Sequence, residues 1–141
     1  MTATLEDAIV LAVEAHRRQT DKAGAAYITH PLRLMLQMAT EVEQMVAVLH
    51  DVVEDSKMTL EGLRERGFSE QVVDAVDAVT ARAGEDYEDF ILRAKPNTLA
   101  RKVKMADLRD NMRMDRIAKL KPKDLQRLAR YHRALRVLEE A

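Results

Sequence analysis

The chain has no cysteine and no tryptophan, and glycine, proline and aromatic residues are scarce. Without cysteine there is no disulfide framework, no thiolate nucleophile and no Cys-based zinc site, so a bound metal has to rely on histidine and carboxylate ligands. Neither sign of charge is in excess: 23 Lys and Arg stand against 24 Asp and Glu, a net charge of −1. That balance excludes a protein built mainly to neutralise nucleic-acid phosphates and leaves room for a local basic pocket that takes a small anion. Long apolar runs are missing, and the start, Met1 to Asp7, has neither the basic residues nor the apolar stretch of a signal peptide. A cytoplasmic location without membrane contact is expected. What is present fits one domain over residues 1–141, with 47% apolar and 33% charged residues, the composition of an all-α compact helical bundle.

Capping residues and apolar spacing divide the chain into six to eight helices. Thr4 with Asp7 three residues later is a capping signature, and the apolar positions after it run to about His16. The segment from about Gln19 to His30 reads as a loop, and Pro31 opens a helix at its first turn. A third helix is expected over about Glu41 to Val53, a fourth from Thr59 to Gly67, and a fifth from Ser69. A short one follows Gly84 and ends near Pro96, and a long one covers Asn97 to about Leu120. The last starts at Pro122, with Leu125, Leu128, Ala129, Leu135 and Leu138 on its buried side.

The string Val48-Leu49-His50-Asp51-Val52-Val53-Glu54-Asp55 carries the most chemistry. On a continuous helix His50 shares a face with Glu54 and Asp51 with Asp55, so one turn offers an imidazole and three carboxylates beside an apolar run. Three anions so placed call for a cation, because charges in such positions are rarely buried unless paired or ligating. His30, just before a helix-opening proline, and Asp107, one turn before Asn111, complete a set of two histidines and two aspartates. His30, His50, Asp51 and Asp107 make a mixed nitrogen and oxygen site suited to one divalent ion such as Mn²⁺, with Fe²⁺ or Zn²⁺ less suited. His16 is read as packing or capping, His132 as solvated, and Tyr87 with Phe90 as core before pocket. The methionines fill the core.

Residues Ala15 to Leu32, with Tyr27-Ile28-Thr29-His30-Pro31, then Leu49-His50-Asp51-Val52-Val53-Glu54-Asp55, Val79-Thr80 and Lys104-Met105-Ala106-Asp107 with Asn111, resemble the HD-superfamily hydrolase domain of RelA/SpoT-type (p)ppGpp enzymes. The resemblance runs in order from about residue 5 to 120 and is nearest to the stand-alone small alarmone hydrolases, similar to the metazoan SpoT homologue. It implies an HD-type fold, a Mn²⁺ ion on His30, His50, Asp51 and Asp107, and Glu54 and Asp55 as the groups that orient and deprotonate the attacking water. It also implies substrate contacts from Lys22 and Asn111, with pyrophosphate released and GDP or GTP left. Where the family carries an arginine against the base in the first loop, this chain has Asp21, which has no flat cation to stack on a purine but can accept hydrogen bonds from a base edge. Two other readings stand beside an alarmone 3′-pyrophosphohydrolase: a hydrolase of another phosphorylated nucleotide, and a non-catalytic nucleotide-binding HD domain. The expected partner is a small nucleotide, and a homo-oligomer is compatible with the sequence.

Overall fold

The computed structural model describes residues 2–140. Among them lie nine helices and no strand, with one isolated bridge between Thr20 and Ala26. They are α1 (Leu5–His16), α2 (Thr29–Leu36), α3 (Glu41–Leu49), α4 (Val52–Asp55), α5 (Leu60–Glu65), α6 (Glu70–Ala78), α7 (Tyr87–Ala94), α8 (Thr98–Asn111) and α9 (Pro122–Glu139). None is long and apolar enough to cross a membrane.

Local chemistry sets most of the starts. At α1, Thr4 Oγ1 accepts from the Asp7 N–H at 3.1 Å and Asp7 Oδ2 accepts from the Thr4 N–H at 2.8 Å, the reciprocal capping expected from the sequence. Thr40 and Glu43 repeat it at α3, and Thr59, Ser69 and Asn97 cap α5, α6 and α8. Two apolar clusters hold the bundle. The larger joins α1, α2, α3, α6 and the first half of α8 around Leu11, Leu34, Val48, Val73 and Val103. The smaller joins α7, α8 and α9 around Ile91, Leu108, Leu135 and Leu138.

Helix α8 connects the two clusters and carries the site. Positions 100, 103, 107 and 110 lie on one stripe; its first half, Ala100 and Val103, enters the larger core, and its second half presents two buried carboxylates, Asp107 and Asp110.

Four expectations need correction. The helix through 41–53 is interrupted at His50–Asp51, where Asp51 has φ −106° and ψ 2°, because the pair turns its side chains to one internal point instead of continuing a regular spiral. The α2 helix begins two residues early, at Thr29, since the Ala26 and Tyr27 carbonyls already accept from the Thr29 and His30 N–H groups. Helix α8 stops at Asn111, and residues 112–121 form a loop; beyond Met112 the chain has no core to cover, and Leu120 is exposed. On α9, Leu125 and Ala129 face solvent, because only the second half of that helix meets α7 and α8.

Candidate active site

His30 and His50 are buried on α2 and at the end of α3, facing α8. Each imidazole is oriented by a bond from its Nδ1. His50 Nδ1 lies 2.7 Å from the Ala47 carbonyl; a carbonyl only accepts, so Nδ1 carries the proton and donates. His30 Nδ1 donates to Asp110 Oδ2 at 2.6 Å, and Asp110 also takes two bonds from Arg33, at 2.9 Å from Nε and 2.8 Å from Nη2. The pattern is that of metal-ligating histidines, whose second nitrogen is tied to a carbonyl or carboxylate.

The two Nε2 atoms meet at Asp107. Its Oδ1 is 2.8 Å from His30 Nε2 and 3.4 Å from His50 Nε2, and ligand atoms of these three residues all lie within 4.8 Å of one another. Asp51 Oδ2 approaches His50 Nε2 at 3.0 Å and accepts a hydrogen bond from the Tyr27 hydroxyl. Despite those two carboxylate neighbours, His50 Nε2 is fully buried without a hydrogen-bond partner. With the proton on Nδ1, Nε2 offers a lone pair between two carboxylates, an arrangement that repels unless a cation stands there. The residues therefore fit a divalent ion on mixed nitrogen and oxygen ligands.

Protonation behaviour carries the same demand for positive charge. Burial opposes a charged imidazole at His50, yet the neighbouring carboxylates outweigh it and push the pKa well up. The same contest raises His30. Asp107 is held well below the carboxylate range in spite of burial, through Lys104, His30 and His50.

The remaining expected residues separate. Lys104 Nζ donates to Asp107 Oδ2 at 2.9 Å and Asn111 Nδ2 to Oδ1 at 3.1 Å, so Asn111 sits at the cluster. Glu54 Oε1 accepts from the Ala81 N–H at 3.0 Å, which ties α4 to the turn after α6. Asp55 keeps electrostatic contact with Asp51, Glu54, His50 and His30, and its pKa is pushed up to about 6 by burial and by the first two. Asp21 Oδ1 accepts from the Ala23 and Ala25 N–H groups, and Oδ2 is 3.5 Å from Arg116 Nη1. Phe90 is core and Tyr87 half-buried, as expected, and His132 is exposed. His16 is buried, its ring 4.9 Å from that of Tyr27 and tilted 52° to it, and bonded through Nδ1 to Gln19, which packs the loop; burial lowers its pKa.

Sequence reasoning missed Tyr27, Arg33, Lys104 and Asp110. The signal for two of them was periodic: Arg33 follows His30 by three and Asp110 follows Asp107 by three, one face each. Beside the cluster opens a cleft of about 320 Å³, with His30, Tyr27, Asn111 and Lys22 among its lining residues.

An all-α bundle with paired histidines and aspartates at its centre defines the class, an HD-type helical domain. No family model matches the chain. It is 30% identical, over 89% of its length, to a guanosine-3′,5′-bis(diphosphate) 3′-pyrophosphohydrolase of Vibrio cholerae and to the bifunctional (p)ppGpp synthase/hydrolase SpoT of Escherichia coli. A pyrophosphohydrolase of the same name from Aquifex aeolicus is 32% identical over 77% of the chain. The chain spans about a fifth of the length of these relatives: 20% of the first two and 17% of the third. In fold it resembles the solved structure of a metazoan orthologue of SpoT that hydrolyses ppGpp, with a TM-score of 0.78 and 21% identity, covering 98% of this chain and 86% of that one. The SpoT-type hydrolases are thus its relatives in sequence, and the all-α HD domain is its fold.

Proposed function

We propose that this chain is a divalent-metal phosphohydrolase that removes pyrophosphate from the 3′ position of (p)ppGpp, leaving GDP or GTP. The observation that carries the reading is His50 Nε2, buried and unpartnered between Asp51, Asp107 and His30. In this reading His30, His50, Asp51 and Asp107 hold one Mn²⁺. The ion supplies Lewis acidity, withdrawing charge from phosphoryl oxygens and making water acidic enough to lose a proton near neutral pH. Asp110 and Lys104 fix the ligands, and Tyr27 holds the Asp51 carboxylate. Asp55, poised at about 6, accepts the proton of the attacking water, while Glu54 anchors the Ala81 turn and keeps one oxygen free to orient that water. The water oxygen bonds to the phosphorus attached to O3′, the P–O3′ bond breaks, and O3′ leaves as a hydroxyl after taking a proton from solvent. Asn111 and Lys22 contact the nucleotide. The identity to hydrolases along most of the chain supports the substrate class, and the lack of cysteine fits a cytoplasmic location.

A second reading, a hydrolase of another phosphorylated nucleotide, is favoured by Asp21, whose Oδ1 is committed to its own turn and which offers a purine no flat cation to stack on. The test is a Mn²⁺-loaded assay against ppGpp, pppGpp and a panel of other nucleotides with products separated by chromatography. Pyrophosphate is expected from both alarmones; turnover of another nucleotide with none from either alarmone would establish the second reading instead.

A further inference from the structure

A groove of about 550 Å³ runs between α7 and α9 and shares no lining residue with the cleft at the metal cluster. Ile91 and Ala134 are buried beneath it, while Leu92 stands 56% exposed. Its two banks carry opposite charge: Asp86 and Glu88 on the α7 side, Arg130 and Arg133 on α9. All four are exposed. Among the described residues none of the four has an ion-pair partner within 4.0 Å, so acids and bases face each other across the groove without meeting.

The two helices run in the same direction. Tyr87, at the start of α7, lies against Arg130 and Tyr131, whereas Leu92, near the end of α7, lines the groove with Val137, further along α9. The acids at the start of α7 are therefore level with the middle of α9. On α9 itself Leu125, Ala129, Arg133 and Val137 follow at i, i+4 spacing and form one ridge. Leu125 is 53% exposed, and Ala129 and Arg133 are exposed as well. From end to end the surface is apolar at Leu125 and Ala129, charged with both signs at Glu88 and Arg133, and apolar again at Leu92 and Val137. That order is the same in either direction, and a face that repeats on reversal is complementary to a copy of itself turned through a two-fold axis.

We propose that this face binds a second copy of the chain, with the two α9 helices antiparallel and the two-fold axis level with the middle of α9. Leu125 and Ala129 of each protomer lie on the partner's Leu92 and the partner's Val137, and Glu88 of each meets the partner's Arg133. Charges that do not meet across one groove are thus paired between two. Arg130 already rests over the Tyr87 ring, 4.8 Å from its centre, which leaves Arg133 as the base free to cross the interface. The apolar contacts supply the burial and the exchanged charges fix the register. The match of the face to its own reverse selects a copy of this chain over an unrelated protein.

Sedimentation equilibrium of the full chain in Mn²⁺ buffer, over about 1–300 µM, should show a reversible rise in mass from 16.0 kDa to twice that value. Leu92→Glu changes an exposed side chain and should weaken association about tenfold or more. Glu88→Arg and Arg133→Glu each set like charges against one another across the axis and should weaken it to a similar degree. Mixed in equal amounts, these two variants oppose unlike charges at both places again, so the mixture should form a heterodimer within about threefold of the wild-type affinity. Pairing inside one chain is not restored by mixing, and the mixture therefore reads contacts between chains alone. A wild type that stays monomeric over the whole range overturns the proposal and leaves the groove to a different protein. A dimer that Leu92→Glu does not weaken overturns it too, and a mixture no tighter than either variant by itself refutes the exchange of Glu88 and Arg133 about the axis.

Discussion

Asp110→Ala is the sharpest perturbation of the metal scaffold, because Asp110 touches no ion itself. Its carboxylate accepts three bonds, one from His30 Nδ1 and two from Arg33. Truncation leaves the His30 N–H buried without an acceptor, a loss of about 1–3 kcal/mol. Arg33, with 26% of its side chain exposed, turns to water and adds less, so metal-free stability should fall by about 2–3 kcal/mol. The released ring no longer aims Nε2 at the cluster, and affinity for Mn²⁺ should fall about 10- to 100-fold, as for other residues that orient metal-ligating histidines. Urea unfolding of the metal-free protein reads the first effect and calorimetric Mn²⁺ titration the second. Asp110→Asn keeps an oxygen for His30 and should lie between. An Asp110→Ala protein that binds Mn²⁺ as tightly as wild type would refute the claim that His30 is oriented for a metal.

Three further outcomes follow from other parts of the fold. Arg18 has φ 71° just after α1, a conformation that costs a side-chain-bearing residue more than glycine loses in entropy; Arg18→Gly should raise stability by about 0.5 kcal/mol in urea unfolding, and a loss of stability would contradict this. Leu138, fully buried in the smaller cluster, should cost about 2–5 kcal/mol as Leu138→Ala while Mn²⁺ affinity stays within about twofold of wild type; a loss of affinity as large as that of Asp110→Ala would show that the α9 contacts shape the site. Arg93 holds the Glu85 carboxylate down at about 2, so its contribution is full above the ordinary value of 4.5 and fades as pH falls towards about 2. The melting-temperature gap between wild type and Glu85→Gln should therefore be largest at pH 6 to 7 and shrink steadily below the ordinary value of 4.5 as pH falls towards about 2; a gap that widens on acidification would contradict the pairing.

The helix starts were legible in the sequence because each is written in two or three neighbouring residues: Thr4 with Asp7, Ser69 before α6, Pro122 at the head of α9. That His30, His50, Asp51 and Asp107 belong together was legible because their types and neighbours are unusual, and the fold brings the four side chains to one point. The interruption at His50–Asp51 was not, since nothing in the apolar period of Val46 to Val53 marks it; only the pull of His30, Asp107 and Tyr27 on the pair ends the helix, and all three are distant in sequence. For the same reason the sequence did not show that Glu54 also serves the Ala81 turn. The end of α8 depended on whether a core lay beneath residues 112–121, a tertiary fact that Met114, Ile117 and Leu120 could not reveal. Nothing in the polar sequence of α8 marks Asp110 or Lys104; the approach of α2 and α7 buries the first and partly buries the second.

The claim at the centre is that one divalent ion sits where His30, His50, Asp51 and Asp107 converge. Crystals of the Mn²⁺-loaded protein, measured for anomalous scattering at the manganese edge, test it most directly. One strong peak is predicted about 2.0–2.3 Å from His30 Nε2, His50 Nε2 and carboxylate oxygens of Asp51 and Asp107. A peak elsewhere on the chain, or none at that point in fully loaded crystals, would contradict the account.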